Sequence, residues 1–194
     1  MVNKCEQHRK LALAIRLIKR NLRTSIVAVH TNVSATQLRT LYHEIHGHAS
    51  VSGMFPESDR LFTTHQRALE ASIILTAYLN CAGADALRRI DIEALLRAHD
   101  FYMDVRRECT GLTQSAIDLT MAWILARDLR SCVVDLRTCP CGIRFAVHEQ
   151  QRIQPHCPVC GLPPLSTGKA PTHSFPLPVP VPADLGTPTT DRFC

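Results

Sequence analysis

The sequence predicts a mainly α protein: a helical N-terminal body, a small ribbon-like module after it, and a proline-rich tail. Three observations carry this expectation. Apolar residues recur at i, i+3, i+4 and i+7, the spacing of amphipathic helices, through most of residues 1–134. From Cys139 the pattern changes to closely spaced cysteines around Ile143-Arg144-Phe145-Ala146-Val147, which alternates like a short strand. Residues 162–194 then hold eight prolines and no hydrophobic period. The boundaries follow as 1–134 for the helical body, 135–163 for the cysteine-bearing module, and 164–194 for a tail expected to be disordered.

The first helix is expected over residues 7–21, with Leu11, Ala14, Ile15, Leu17 and Ile18 set among basic residues. Residues 24–30 read as a second short helix, although their β-branched run leaves a strand open. Thr31-Asn32-Val33 reads as a turn. Ser34 and Gln37 then match a capping box, and the helix they open turns Leu38, Leu41, Tyr42 and Ile45 inward before stopping at Gly47. A loop with Gly53 and Pro56 spans residues 49–63. Thr63 or Thr64 starts a long helix to about Asn80, with Leu69, Ile73, Leu75 and Leu79 as core candidates, broken at Gly83. Asp91 caps a helix through Glu108 that carries Ile92, Leu95, Leu96, His99, Tyr102 and Met103 along one side. Gly111 breaks that helix, and Thr113 caps another through about Leu129 that carries Trp123.

Composition narrows the class. The hydrophobic fraction of 45% supports a real core. The longest apolar stretch, around residues 71–82, is far short of the roughly 20 residues a membrane helix needs. The N-terminal segment stays charged through Arg23 and has no apolar signal region. Nine cysteines is an odd count, unlike a secreted disulfide framework. Four cluster between residues 139 and 160, while Cys5, Cys81, Cys109, Cys132 and Cys194 are scattered. Reduced, buried thiols plus one metal site are expected, and hence a cytoplasmic protein; an intermolecular disulfide through Cys194 is the alternative.

The net charge is +5, yet residues 1–48 alone carry +6. Arginines outnumber lysines 18 to 4, and a basic excess at one end fits nucleic-acid binding. A solvated helix face is the bland alternative.

Cys157-Pro158-Val159-Cys160-Gly161 is a metal knuckle, and Cys139-Pro140-Cys141-Gly142 is the same pattern shortened by one residue. Cys139, Cys141, Cys157 and Cys160 together make a closed tetrahedral zinc site, one Zn2+ per chain, whose role is structural because no ligand position stays open. The segment has little core of its own, so binding would supply folding free energy on the order of 10 kcal/mol. His148 or His156 could replace Cys139, and an iron–sulfur cluster also accepts four thiolates. His43-Glu44-Ile45-His46 misses the metalloprotease spacing, because Gly47 stands where the second histidine is required.

Residues 24–47 fit a helix-turn-helix-like segment. Thr36, Gln37, Arg39, Thr40 and His43 would face outward to base edges, with Arg20 and Arg23 on backbone phosphates. Any helical hairpin with a polar face can mimic the pattern.

The chain resembles the flagellar transcriptional regulator FlhC family over roughly residues 10–163. The resemblance rests on Val33-Ser34 followed by Leu38, Leu41-Tyr42 and Gly47, and on Gly53-Met54-Phe55-Pro56. It rests also on Ala98-His99-Asp100-Phe101-Tyr102, on Leu119-Thr120-Met121-Ala122-Trp123, and on Cys141-Gly142 followed by Cys157-x-x-Cys160. It implies a zinc protein that joins a partner, FlhD, in a heterohexamer, binds double-stranded DNA upstream of flagellar promoters and activates transcription with RNA polymerase. It implies that Cys141, Cys157 and Cys160 are zinc ligands. The family's C-x-x-C would place the first ligand at Thr138; here Cys139 is adjacent and takes that role. The tail and the histidine-rich 43–48 segment also differ from the family.

The expected function is therefore a non-enzymatic, DNA-binding activator subunit. The alternative is a zinc-ribbon adaptor acting only through protein contacts. A zinc hydrolase lacks an open ligand position and an acid at motif spacing.

Overall fold

A computed structural model describes residues 3–109 and 114–165. The tail expected to be disordered, with Cys194, therefore lies outside the described residues apart from its first two positions.

The chain begins with α1, Lys4–Lys19. The Asn3 side chain accepts the Cys5 N–H at 3.1 Å, so the helix starts three residues before the expected residue 7. Ala14, Leu17 and Ile18 are buried. α2 spans Thr24–Thr31 and is helical despite its β-branched run. Ile26 and Val27 are fully buried, and that packing outweighs the weak local preference for strand. Asn32, at φ 55°, ends α2 in the left-handed conformation that asparagine tolerates. α3 spans Ala35–His46. Ser34 Oγ accepts the Gln37 N–H at 3.3 Å, and Gly47, at φ 73°, closes the helix. The Gln37 side chain makes no return bond among the described residues, so the expected capping box is half formed. α1, α2 and α3 pack on one another as a three-helix unit.

A loop and a 3-10 helix, Ser58–Phe62, lead to α4, His65–Ala82, capped by Thr64. α4 is the centre of the molecule, touching α5, α6 and the later hairpin. Contact on several sides explains why its buried set, Ala71, Ile74, Leu75, Ala77 and Tyr78, is wider than one stripe. Of the expected core positions Leu75 is buried, whereas Leu69, Ile73 and Leu79 are half-buried. A second 3-10 helix, Gly83–Leu87, precedes α5, Ile92–Glu108. Asp91 caps α5 as expected, its Oδ1 accepting the N–H groups of Glu93 and Ala94 at 2.9 and 3.0 Å.

α6, Leu119–Arg130, differs from expectation. Thr113 lies outside the described residues, and the cap is Asp118, which accepts the Met121 N–H at 2.7 Å. Residues 114–118 form an extended strap instead of a first helical turn. Side chains of the helical body satisfy its backbone. Arg67 donates to the Ser115 carbonyl at 2.7 Å, Arg106 to that of Gln114, and His99 Nε2–H to that of Ile117 at 2.9 Å. The Tyr102 hydroxyl accepts the Ile117 N–H at 3.0 Å. These bonds compete successfully with the helical ladder.

The strands β1, Val134–Thr138, and β2, Arg144–His148, form one antiparallel hairpin with Leu136 opposite Ala146. β2 was expected and β1 was not. Both faces of β2 are covered: Ala146 joins the helical core, while Phe145 and Val147 pack with Cys139 and Cys157. Cys5, Cys81, Cys109 and Cys132 correct the sequence reading, since they are exposed rather than buried. Each sits at or beside a helix end, where the chain turns into solvent. No helix of the described residues is long and apolar enough to cross a membrane.

Two histidines, His30 half-buried and His99 buried, tie the parts together. Trp123 Nε1–H donates to His30 Nε2 at 2.8 Å, joining α6 to α2, and His99 holds the strap. Burial holds both below the ordinary histidine value, against a smaller opposing pull from Asp91 on His30; for His99, the Ile117 hydrogen bond opposes it. Protonation therefore favours the unfolded chain. Stability is full above about pH 6.5 and is expected to fall as the pH drops through that value and the lower folded-state values. Urea midpoints measured from pH 7.5 to 5 check this, and His30→Gln should flatten the dependence.

Candidate metal centre

The hairpin turn is itself the first knuckle. Thr138 pairs with Arg144, which leaves residues 139–143 to reverse the chain. The Cys139 N–H donates to the Ile143 carbonyl at 2.8 Å, and the Gly142 N–H to the Cys139 carbonyl at 2.9 Å. Gly142, at φ 86°, supplies the positive dihedral that this turn requires. The second knuckle repeats the device: Gly161, at φ 73°, donates to the Cys157 carbonyl at 2.9 Å, and the Cys157 N–H donates to the Leu162 carbonyl at 2.7 Å. The Leu165 N–H reaches the Thr138 carbonyl at 3.0 Å and lays the chain after the second knuckle along the end of β1.

These turns bring Cys139, Cys141, Cys157 and Cys160 together, with all four sulfurs within 4.8 Å of one another. The Cys139–Cys160 and Cys141–Cys157 Sγ separations are 3.3 and 3.7 Å. Thiolates bound to one tetrahedral zinc ion stand about 3.8 Å apart, so the donor set fits such an ion. The shortened C-x-C pair is no obstacle, because its two sulfurs face two different partners across the knuckle pair. Cys139 and Cys157 are buried, and Cys141 and Cys160 are exposed.

The two buried thiols differ. Burial pushes Cys139 up to about 12. At Cys157 burial also pushes upward, but the N–H groups of Cys160 and Val159, with the neighbouring thiols, outweigh it and bring the value down to about 7. Backbone N–H groups aimed at sulfur also stabilise a metal-bound thiolate.

Neither alternative ligand joins the cluster. His148 lies beside Phe62, with ring centroids 5.4 Å apart, and its Nδ1 accepts the Gln150 N–H at 3.0 Å. His156 Nδ1 bonds the Gln154 carbonyl at 3.0 Å.

Ser72, in the middle of α4, aligns the hairpin, a role that no local pattern marks. Its hydroxyl accepts the Ala146 N–H at 2.9 Å and donates to the Ala68 carbonyl at 2.6 Å. Ser72→Ala leaves that buried N–H unpaired. The expected cost is about 1–3 kcal/mol, read as a lower urea midpoint with metal content unchanged.

The polar face expected on α3 is present: Thr36, Gln37, Arg39, Thr40 and His43 are all exposed. The Thr40 hydroxyl donates to the Thr36 carbonyl at 3.2 Å. Arg39 takes part in no ion pair among the described residues. His46 instead turns to α1 and bonds the Ile18 carbonyl at 2.7 Å, so His43 and His46 do not share a task. The two expected phosphate contacts are engaged within the chain. Arg20 forms a two-pronged pair with Asp100 of α5. Arg23 donates to the carbonyls of Gly53 and Met54 at 3.2 and 3.1 Å and lies 5.1 Å from the Phe55 ring centroid.

The family described as "Flagellar transcriptional activator (FlhC)" matches residues 1–173. The chain belongs to the FlhC family. Relatives named flagellar transcriptional regulator FlhC include one from Paraburkholderia atlantica, 31% identical over 83% of this chain and 73% of the relative. Another, from Thauera aminoaromatica, is 27% identical over 77% and 76%, and one from Serratia marcescens is 28% identical over 81% of each chain. FlhC proteins are flagellar transcriptional regulators, so this chain belongs to transcription control of flagellar genes. Within the FlhC fold of this chain, the four-cysteine cluster is the group that could hold a metal ion among the described residues.

Proposed function

We propose that this chain is the DNA-binding subunit of a cytoplasmic transcriptional activator of flagellar genes, acting with an FlhD-like partner in a heterohexamer and with RNA polymerase. It works by binding double-stranded DNA and performs no reaction of its own. The observation that carries the reading is the exposed, largely unengaged polar face of α3, set on a rigid three-helix unit. Gln37 offers an amide suited to adenine, and Arg39 a planar fork suited to guanine. Each good pair discriminates against the wrong base by about 1–3 kcal/mol.

We assign zinc to Cys139, Cys141, Cys157 and Cys160, one ion per chain. Four thiolates in a closed set favour zinc over harder cations, and a closed set is structural. The ion would fix the two knuckles against each other and make the segment rigid enough to dock. The internal engagement of Arg20 and Arg23 gives some weight to an adaptor that touches protein alone.

The deciding experiment is a gel shift on a flagellar promoter fragment with the partner present. Arg39→Ala is expected to weaken promoter binding roughly tenfold and to narrow the gap between promoter and unrelated DNA. A partner complex that forms without retarding DNA would favour the adaptor reading.

A further inference from the structure

Arg20 and Arg23 are engaged within the chain, so exposed arginines without an ion pair are further candidates for phosphate contacts. Arg88 and Arg89 follow the 3-10 helix Gly83–Leu87, and Arg130 ends α6. All three are exposed, and none takes part in an ion pair among the described residues.

Tyr78 gathers them. Its hydroxyl accepts the Asp91 N–H at 3.2 Å and donates to the Arg89 carbonyl at 3.5 Å, fixing the turn that carries both arginines. α6 packs against the same 3-10 helix. The charge of Arg130 is felt at the Tyr78 phenol, which burial holds above its ordinary value. None of the nearby acids forms an ion pair with these arginines among the described residues. Asp85 receives the backbone N–H groups of Arg88 and Arg89 at its carbonyl, Asp91 caps α5, and Glu93 is paired with Arg16 at 2.8 Å. No exposed large apolar residue falls in residues 83–91 or 127–131. The patch therefore lacks the apolar centre of a protein–protein contact.

Two side-chain contacts join the helices that carry the patch to the three-helix unit. Trp123 bonds His30 near the end of α2 and lies on α6, two turns before Arg130, about 10 Å along the helix. The Arg16–Glu93 pair binds α1 to the start of α5, four residues after Arg89.

We propose that Arg88, Arg89 and Arg130 bind backbone phosphates of the same DNA that α3 reads, a proposal that rests on the DNA reading above. Guanidinium groups carry the charge and the donor fork that phosphate oxygens accept. Such contacts set register and strength without reading sequence.

The test measures DNA affinity of the full chain with its partner protein against salt concentration. The variants are Arg88→Ala/Arg89→Ala/Arg130→Ala and the matching triple lysine variant. Each phosphate contact contributes about 0.9 to the slope of log K against log salt. The alanine variant should lose roughly two to three from that slope, equally on promoter and unrelated DNA, while the lysine variant keeps it. An unchanged slope in a folded alanine variant overturns the proposal and leaves the DNA reading standing. A lysine variant that falls as far as the alanine one also overturns it, because charge is then not what matters. Wild-type complex that binds DNA without salt dependence removes both readings together.

Discussion

Cys157→Ala is expected to abolish the proposed zinc binding and unfold residues 149–165, while most of the helical signal in circular dichroism survives. Cys157 is buried, and its sulfur lies 3.7 Å from that of Cys141. Removing it leaves three thiolates around an open position. The local apolar cluster is small, comprising Cys139, Phe145, Val147 and Cys157, so little else holds the second knuckle. Structural zinc contributes on the order of 10 kcal/mol to such segments, more than one backbone bond from Leu165 to Thr138 can replace. The hairpin itself should persist, because Val134 and Ala146 belong to the helical core. Metal analysis of the purified variant, with limited proteolysis after residue 148, gives the answer. A full equivalent of metal in the variant would remove Cys157 from the ligand set.

Glu70→Ala should cost about 3–5 kcal/mol, because it strands two cations near the core. Glu70 is buried, and its carboxylate pairs with Arg67 at 3.1 Å and with Arg106 on the neighbouring helix. Both guanidinium groups are largely shielded from water, at 15% and 14% exposure. The same two arginines hold the carbonyls of Ser115 and Gln114, so the strap before α6 loosens with them. Urea denaturation measures the loss, and faster amide exchange at Ile117 reports the strap. A loss under about 1 kcal/mol would mean that the arginines find water or other acceptors, as exposed pairs do.

Much of the fold was legible in local chemistry. The Ser34 and Asp91 caps, the stop at Gly47 and the stripe on α5 follow from short-range rules, and all stand where expected. The cysteine spacing announced the cluster for the same reason: two knuckles with their own glycines shape themselves. What failed depended on partners distant in sequence. Residues 114–118 carry no mark of the four side chains that hold them extended. The strand β1 was missed because Val134 and Leu136 alternate over too few residues to stand out before pairing with β2. Arg20 and Arg23 looked like free cations, since Asp100 and Phe55 lie 80 and 32 residues further along the chain.

The sequence by itself determined the helical body, its main capped ends, and a C-terminal segment able to gather four sulfurs, because each of these depends on residues close together along the chain. Only the tertiary structure decided which arginines remain available to a ligand, which faces of α4 and β2 are covered, and how Ser72 aligns the cysteine-bearing hairpin on the body. Those outcomes depend on burial and pairing between segments tens of residues apart, and a one-dimensional pattern does not record which groups meet.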